Sequence, residues 1–497
     1  MREQTMITWL QTIIAIILLY VVFEKLRQWR LEGNIPGPST VPFFGNSLIL
    51  WDYKNTQDIG RIVMKLQGLM EYGNLCRLWL GHHLIVGVAD PKSLEVIFKS
   101  NELLNKSFLY DFANDIASGV FVSSGEKWKV LRKIVNKVFH NNNMENQLNV
   151  FNNSSKVLCQ VLESKCDGKS FKIDNFLHRC ILDITCKILA SSRNDIQLKK
   201  DLTYIEDVHL VAHLSFERLL RIWLYPDFIY KHSTSGKMKQ AASNRVLGFG
   251  LELINERREF LNEVENSITV EGYSNPKTFL DYMMDYAKAR NLTDLELSMS
   301  ITDLIVAGSD TTACAISYML LMLAMYQDIQ EQVYEEVHEI FGDSDRPMEL
   351  KDMNRMPVLE RVYMEVLRHC CPPHIVRRVD SPLYLQDKRI PVGSSLYIML
   401  YRLHRDPEYW SHPNSFYPDH FLPENVQQRP KYTFLPFVSG LRACPGQRFS
   451  FIMMKIIVST ILRQYKITTS VRPSEIKLSM TLMLEISGGS NVQLTRR

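Results

Sequence analysis

Apolar positions along this chain fall into three kinds of run. From Met6 to Phe23 they make an almost unbroken stretch of 18 residues, close to the ~20 that a helix needs to cross a bilayer. From Leu295 to Tyr326 a second long run is apolar on most faces, which predicts a helix buried inside the molecule. Elsewhere helical spacing dominates, and strand-like alternation is sparse. Leu75 to Val88, around Gly81-His82-His83, predicts a β-hairpin, and Pro91 to Phe98 a helix. Alternation along a strand should send His82 and His83 to opposite faces, as solvated turn residues. The middle third, residues 145–290, is helical in pattern, with Lys231 to Lys237 as a basic-polar loop between helices. Phe449 to Tyr465 predicts another helix. Met480 to Ile486 and Val492 to Leu494, split by Gly488-Gly489, predict a closing hairpin.

The first run reads as a membrane anchor. Its rival is a cleaved signal peptide, but Glu24-Lys25-Leu26-Arg27 offers no small-residue cleavage site. Lys25, Arg27 and Arg30 outweigh the single Arg2 on the other side, so the positive-inside rule leaves the rest of the chain in the cytosol, on an endoplasmic reticulum (microsomal) membrane. Pro36-Gly37-Pro38 and Pro42 make a stiff link that cannot continue a helix. The expected organisation is therefore an anchor with its basic flank at residues 1–30, a proline-rich hinge at 31–46, and one catalytic domain at 47–497.

Composition narrows the function. A net charge of +4 without a long basic block argues against nucleic acid as a partner, and 46% hydrophobic residues suffice for a large core. The nine cysteines are scattered, apart from Cys370-Cys371, with no repeated C-x-x-C spacing. That pattern predicts a reducing compartment and neither dense disulfides nor a zinc module. No G-x-G-x-x-G or phosphate-cradling loop is present, so a nucleotide site within this chain is not expected.

One cysteine stands in a frame suited to metal. In Phe437-Val-Ser-Gly-Leu-Arg-Ala-Cys-Pro-Gly446 five residue types would be fixed if a haem iron sat on Cys444. Gly440 and Gly446 would let the backbone pass close to a flat macrocycle. Phe437 would shield the sulfur, and Arg442 offers a fork of donors for a propionate. Amides opening the following helix would favour the thiolate, the ligation that promotes O–O cleavage. Most free cysteines are simply small buried hydrophobes. Against that, such a frame arises by chance roughly once in ten thousand chains of this size at average residue frequencies. Trp128 and Arg132, at i,i+4 on one helical face, could both reach one propionate. Either Arg377 or Arg378 could reach the second.

Phe-x-x-Gly-x-Arg-x-Cys-x-Gly resembles the signature of the cytochrome P-450 family, haem-thiolate monooxygenases. Trp128-x-x-x-Arg132, Ala307-Gly308-Ser309-Asp310-Thr311-Thr312, Glu365-x-x-Arg368 and the Cys444 loop occur in the family's order. The resemblance implies a mainly α fold with small β-sheets, behind an N-terminal transmembrane anchor helix. It implies haem b (iron protoporphyrin IX), noncovalent with Cys444 as axial thiolate, because Ala307 stands where many relatives carry a haem-esterifying glutamate. In the family's oxygen-activating helix Gly308 opens room over the iron, Thr311 holds the oxygen ligand or a water, and Asp310 feeds protons. Glu365 and Arg368 would form a structural ion pair, with His420 where the third partner is usually arginine. The implied partners are NADPH-cytochrome P-450 reductase, cytochrome b5 as an optional donor, membrane lipid and a hydrophobic small-molecule substrate. Short segments such as Arg405-Asp406-Pro407 and Phe421-Leu-Pro-Glu-Asn425 resemble insect members of the fatty-acid ω-hydroxylase branch (family 4 type). Fatty acids, insect hormones and xenobiotics such as insecticides are all open as substrates. The competing readings are a non-catalytic haem-thiolate lipid or hormone binder and a peroxide-rearranging isomerase. The intact Asp310-Thr311 pair speaks against both.

Overall fold

The computed structural model describes residues 2–50, 65–66, 68–139, 144–199, 201–266, 277–480 and 482–497. Among these the helices of nine residues or more are α1 (Arg2–Glu32), α2 (Pro91–Lys99), α3 (Gly125–Phe139), α4 (Met144–Leu162), α5 (Asp174–Ala190), α6 (Tyr204–Leu220), α7 (Thr234–Asn266), α8 (Phe279–Arg290), α9 (Asp294–Met325), α10 (Gln327–Phe341), α11 (Pro357–His369) and α12 (Gln447–Gln464). The strands are short: β1 (Leu75–Leu80), β2 (His83–Val88), β3 (Phe171–Lys172), β4 (Ile375–Arg378), β5 (Leu383–Leu385), β6 (Lys388–Ile390), β7 (Ser395–Ile398), β8 (Tyr465–Thr468), β9 (Leu478–Met480), β10 (Leu484–Ile486) and β11 (Asn491–Arg496). The expected mainly α architecture with small sheets is what forms.

Helix α9 is the axle of the fold. Its start is fixed by a capping box: Thr293 Oγ accepts from the Glu296 amide at 3.2 Å while the Glu296 carboxylate accepts from the Thr293 amide at 2.9 Å. Helices α5, α7, α11 and α12 pack around it, and α4 braces α5 and α12 from outside. Two helices are apolar and long enough to span a membrane, and burial separates them: none of the apolar window of α1 is buried, against 83% of that of α9. Helix α9 is thus a core helix. Helix α1 keeps its apolar face uncovered, with only its C-terminal end tied to the body, where Glu32 bonds Trp79 Nε1 at 2.7 Å and pairs with Arg77 at 3.1 Å.

The largest sheet has the order β1-β2-β7-β4, with β2 and β7 parallel and the other pairs antiparallel. The Leu75–Val88 hairpin and the helix after it form as expected, Asp90 capping α2 ahead of Pro91.

Three local expectations need correction. His82 is an exposed turn residue as expected, but His83 is half-buried and stacks on Phe108 at 3.9 Å, and the two histidine rings lie 4.0 Å apart rather than on opposite faces. Burial, with His82 and Arg27 nearby, pulls the His83 imidazole down to about 4. Lys231–Lys237 is not a loop: a short helix ends at His232, Ser233 alone breaks the path, and its hydroxyl accepts from the Gly236 amide at 3.0 Å to cap α7. The last hairpin lies within the first of its two runs, where Met480 faces Leu484, while β11 joins β3 and β8 in a separate sheet. The apolar run hid its own turn.

Candidate active site

Helix α9 carries the first half of the site. Between Ser300 and Ala324 every residue is buried except Ala307, Gly308 and Thr311. Positions i, i+1 and i+4 share one face, so the core helix opens to a cleft at this one place. A Cβ built on Gly308 would meet only Thr185 Cγ2, at an ordinary 3.5 Å. The missing side chain therefore relieves no clash within the protein and leaves room at the cleft wall. The polar run is satisfied locally: Thr311 Oγ donates to the Ala307 carbonyl and Ser309 Oγ to that of Ile305, each at 2.7 Å.

Asp310 is buried, and two histidines that the sequence reading had passed over face it. His209 Nε2, on α6, lies 2.6 Å from Asp310 Oδ1, and His178 Nε2, on α5, lies 3.4 Å from the same oxygen. Burial alone would raise the Asp310 carboxyl, but His209 and His178 overcome it and hold the acid well below the usual carboxylate range. The His209 imidazole is correspondingly lifted to about 9 against its own burial, chiefly by Asp310 with help from Glu485 and Glu206. Glu485, on β10, is raised by burial and by Asp310, with His209 and His178 opposing.

The Cys444 loop carries the second half. The Cys444 amide donates to the Phe437 carbonyl at 2.9 Å and closes the turn, and α12 starts directly behind it, with Gly446 preceding its first residue. Cys444 keeps open surface although protein crowds it closely, as befits a residue lining a cleft. Burial raises its thiol, while the Gly446 and Gln447 amides and Arg132 pull toward the thiolate. Gly440 answers to a different constraint from the one expected. Its φ is +75°, and an added Cβ would strike the Phe98 carbonyl at the end of α2, so the protein's own backbone requires glycine there. Phe437 packs on Phe451 at 5.9 Å.

Between these halves lies a crowd of cations. The Arg442 guanidinium sits 4.3 Å over the Trp128 ring and donates to the Ser123 carbonyl at 2.5 Å. Strand alternation separates the two arginines of β4: Arg377 is buried, whereas Arg378 is exposed and pairs with Asp380 at 2.5 Å. Lys106, also missed from sequence, lies 4.0 Å over Tyr110. Burial, then Arg377 and Arg132, pull Arg442 down to about 9. Burial, then Arg377 and Arg442, drive Lys106 far below its ordinary value, and burial lowers Arg377 and Arg132. Among the described residues none of the four pairs with a carboxylate at salt-bridge distance, and Arg442 Nε is buried without a partner. Mutually repelling cations without counter-ions call for an anionic ligand. The two propionates of a haem fit that need, and Arg132 lies close enough to the Cys444 sulfur to act on it.

Glu365 and Arg368 lie on α11, both fully buried and bonded in two places, at 2.9 and 2.7 Å. His420 takes the third place, its Nδ1 3.2 Å from Glu365 Oε2. The neighbourhood keeps an arginine after all: Arg429 lies 3.8 Å over Trp410 and donates to the His420 carbonyl at 2.5 Å.

An opened core helix, a cysteine loop and cations without counter-ions are the arrangement that a haem-thiolate oxygenase needs. The sequence model of the family "Cytochrome P450" matches residues 35–490, and the chain belongs to that family. It is 31% identical to "Cytochrome P450 4c3" of Drosophila melanogaster over 97% of this chain and 93% of that one. It is 30% identical to "Cytochrome P450 4c21" of Blattella germanica (95% and 94% covered) and 28% to "Cytochrome P450 4V2" of Homo sapiens (97% and 93%). The chain is accordingly a monooxygenase with a haem-thiolate cofactor, of a family that takes hydrophobic substrates and draws electrons from redox partners. Its uncovered apolar α1 indicates membrane association.

Proposed function

We propose that this protein is a microsomal monooxygenase, held in the endoplasmic reticulum membrane by α1 with its catalytic domain in the cytosol. It inserts one oxygen atom from O₂ into a fatty acid, an insect hormone or a xenobiotic such as an insecticide. The observation that carries the reading is the single opening in α9, where Thr311 faces the cleft and ionised Asp310 stands one residue away. A ligand binder has no use for a proton path beside its cofactor.

Noncovalent haem b, when bound, supplies reductive activation of O₂ with Cys444 as its thiolate ligand. Lys106, Arg132, Arg377 and Arg442, with Trp128 beneath Arg442, would hold its acidic edge. Thr311 would offer its hydroxyl to oxygen or a water at the opening, and Asp310 would pass protons inward from the solvent side. A narrow apolar cavity lined by Leu78, Leu80, Leu109, Phe216, Leu220 and Tyr397 favours a hydrophobic substrate. Exposed Trp223, Phe228, Ile229 and Ile49, and Phe43, which stacks on Tyr20 of α1 at 4.9 Å, supply further apolar surface for membrane lipid.

NADPH is used only through NADPH-cytochrome P-450 reductase, with cytochrome b5 as a second donor. Lys129, Lys133 and Lys137 recur along the exposed side of α3, the helix that also carries Arg132, and Arg448 opens α12 behind the thiolate. This face suits an acidic flavoprotein. The test is NADPH-driven turnover with purified reductase against fatty acids, ecdysteroid- and juvenile-hormone-like compounds and insecticides, recording product and peroxide together. Thr311→Ala should release peroxide at the expense of product. Unchanged coupling in that variant removes the mechanism, and no product from any class puts the binding reading first.

A further inference from the structure

The acid of the α9 opening has more ligands around it than proton transfer needs. His178 Nδ1 lies 2.9 Å from the Asp174 carbonyl oxygen one turn earlier on α5, and a carbonyl can only accept, so that nitrogen carries the proton. In neutral imidazole the lone pair is then on Nε2. His178 Nε2 lies 3.4 Å from Asp310 Oδ1 without making a hydrogen bond to it. His178 Nε2 and Asp310 Oδ2 are both buried without a hydrogen-bond partner, in residues only 7% and 4% exposed. His209 closes the third side, its ring 5.2 Å from that of His178 and nearly perpendicular to it. One ligand atom from each of the three residues lies within 4.8 Å of the other two.

We propose that His178, His209 and Asp310 form a binding site for one divalent d-block cation of the zinc class. Two imidazole nitrogens and one carboxylate oxygen, with a fourth position left for water, are a donor set that zinc accepts. The bond from His178 Nδ1 to a backbone carbonyl is the outer contact that fixes a ligating tautomer and turns Nε2 toward the metal. Tetrahedral zinc at about 2.0–2.1 Å from each ligand spaces its donors by about 3.3 Å, the separation His178 and Asp310 already have. His209, at 2.6 Å, has to withdraw slightly. Its side chain is 30% exposed, which gives the ion a way in and the displaced His209 proton a way out. Glu485 adds negative charge from β10. The three ligands come from α5, α6 and α9, so the occupied site ties these three helices together.

This deepens the reading in which Asp310 passes protons: a carboxylate bound to zinc cannot accept or release them. Zinc should then act as an uncoupler, leaving NADPH consumption while lowering product.

The experiment uses the full-length haem-loaded protein without a histidine tag. Protein is equilibrated with zinc chloride, passed through a desalting column with a weak chelator, and assayed for zinc by atomic emission. We expect one zinc per haem in the wild type. Each of His178→Gln and His209→Gln should bind about a hundredfold more weakly, since one of a few strong ligands is gone. Haem content and the carbon monoxide spectrum of each variant establish that it folds. Wild-type protein that retains no zinc, or two folded variants that retain it as the wild type does, overturns the site. A parallel assay compares product per NADPH with and without zinc, where the wild type should lose coupling and His209→Gln should resist. Zinc bound with coupling unchanged would support the site and overturn the proton role of Asp310. Absence of zinc with Thr311→Ala still uncoupled would do the reverse.

Discussion

Glu365→Gln is the substitution that most sharply tests how the haem-side scaffold is held. The side chain keeps its size and loses its charge. In the native fold the carboxylate accepts from Arg368 Nε and Nη2 at 2.9 and 2.7 Å and from the Tyr417 amide at 2.8 Å, with His420 at 3.2 Å and His369 at 3.3 Å. Removing it leaves Arg368, fully buried, without its counter-charge, although the carbonyls of His404, Pro413 and Ser415 still accept from it. Breaking a buried pair from one side costs about 3–5 kcal/mol. With an m-value near 3 kcal/mol/M, the urea midpoint should fall by about 1–1.7 M, followed by the loss of the thiolate-type carbon monoxide spectrum. His420→Ala removes one bond to the same charge and should cost less, about 1.5–3 kcal/mol. Acid adds an independent check. Burial opposes ionisation of Glu365, yet Arg368, His369 and His420 hold its carboxyl well below the usual range. Its contribution is therefore complete above the unfolded-state value of about 4.3 and is lost as pH falls below it. The wild type should weaken more steeply there than Glu365→Gln. Equal midpoints for Glu365→Gln and His420→Ala, or parallel acid limbs, would refute the reasoning.

Three further outcomes follow from the same geometry. Gly440→Ala should destabilise by roughly 1–3 kcal/mol and lower haem content, because φ of +75° and the Phe98 carbonyl both oppose a Cβ; unaltered haem content and midpoint count against this. Arg442→Gln should weaken haem retention by about 10–100-fold, the worth of a charge-assisted contact, measured by transfer to apomyoglobin. Reversing Lys133 and Lys137 to glutamate should slow reductase-supported reduction and flatten its dependence on ionic strength, whereas insensitivity to both removes the docking face.

What could be read from the chain was what local pattern encodes. The long helices, the first hairpin and the Cys444 frame follow from periodicity and from fixed residue types within ten positions. That Arg377 is buried and Arg378 exposed followed only once β4 had a register. His178, His209 and Lys106 were invisible for a different reason. Asp310 lies 101 residues from His209, and no spacing rule links a histidine to an acid three helices away. Arg429 was missed in the same way: it serves the Glu365 network from a loop rather than from the position where arginine was sought. The final hairpin failed because Met480–Ile486 is apolar through its own turn, so hydrophobicity alone could not divide it.

The central claim is that Cys444 ligates haem iron in a monooxygenase cleft, and the reduced carbon monoxide difference spectrum of wild type and Cys444→Ser tests it most directly. The account predicts a thiolate-type band in the wild type and its loss in the variant, with NADPH-driven product formation lost alongside. A thiolate-type band that survives in Cys444→Ser would contradict the account.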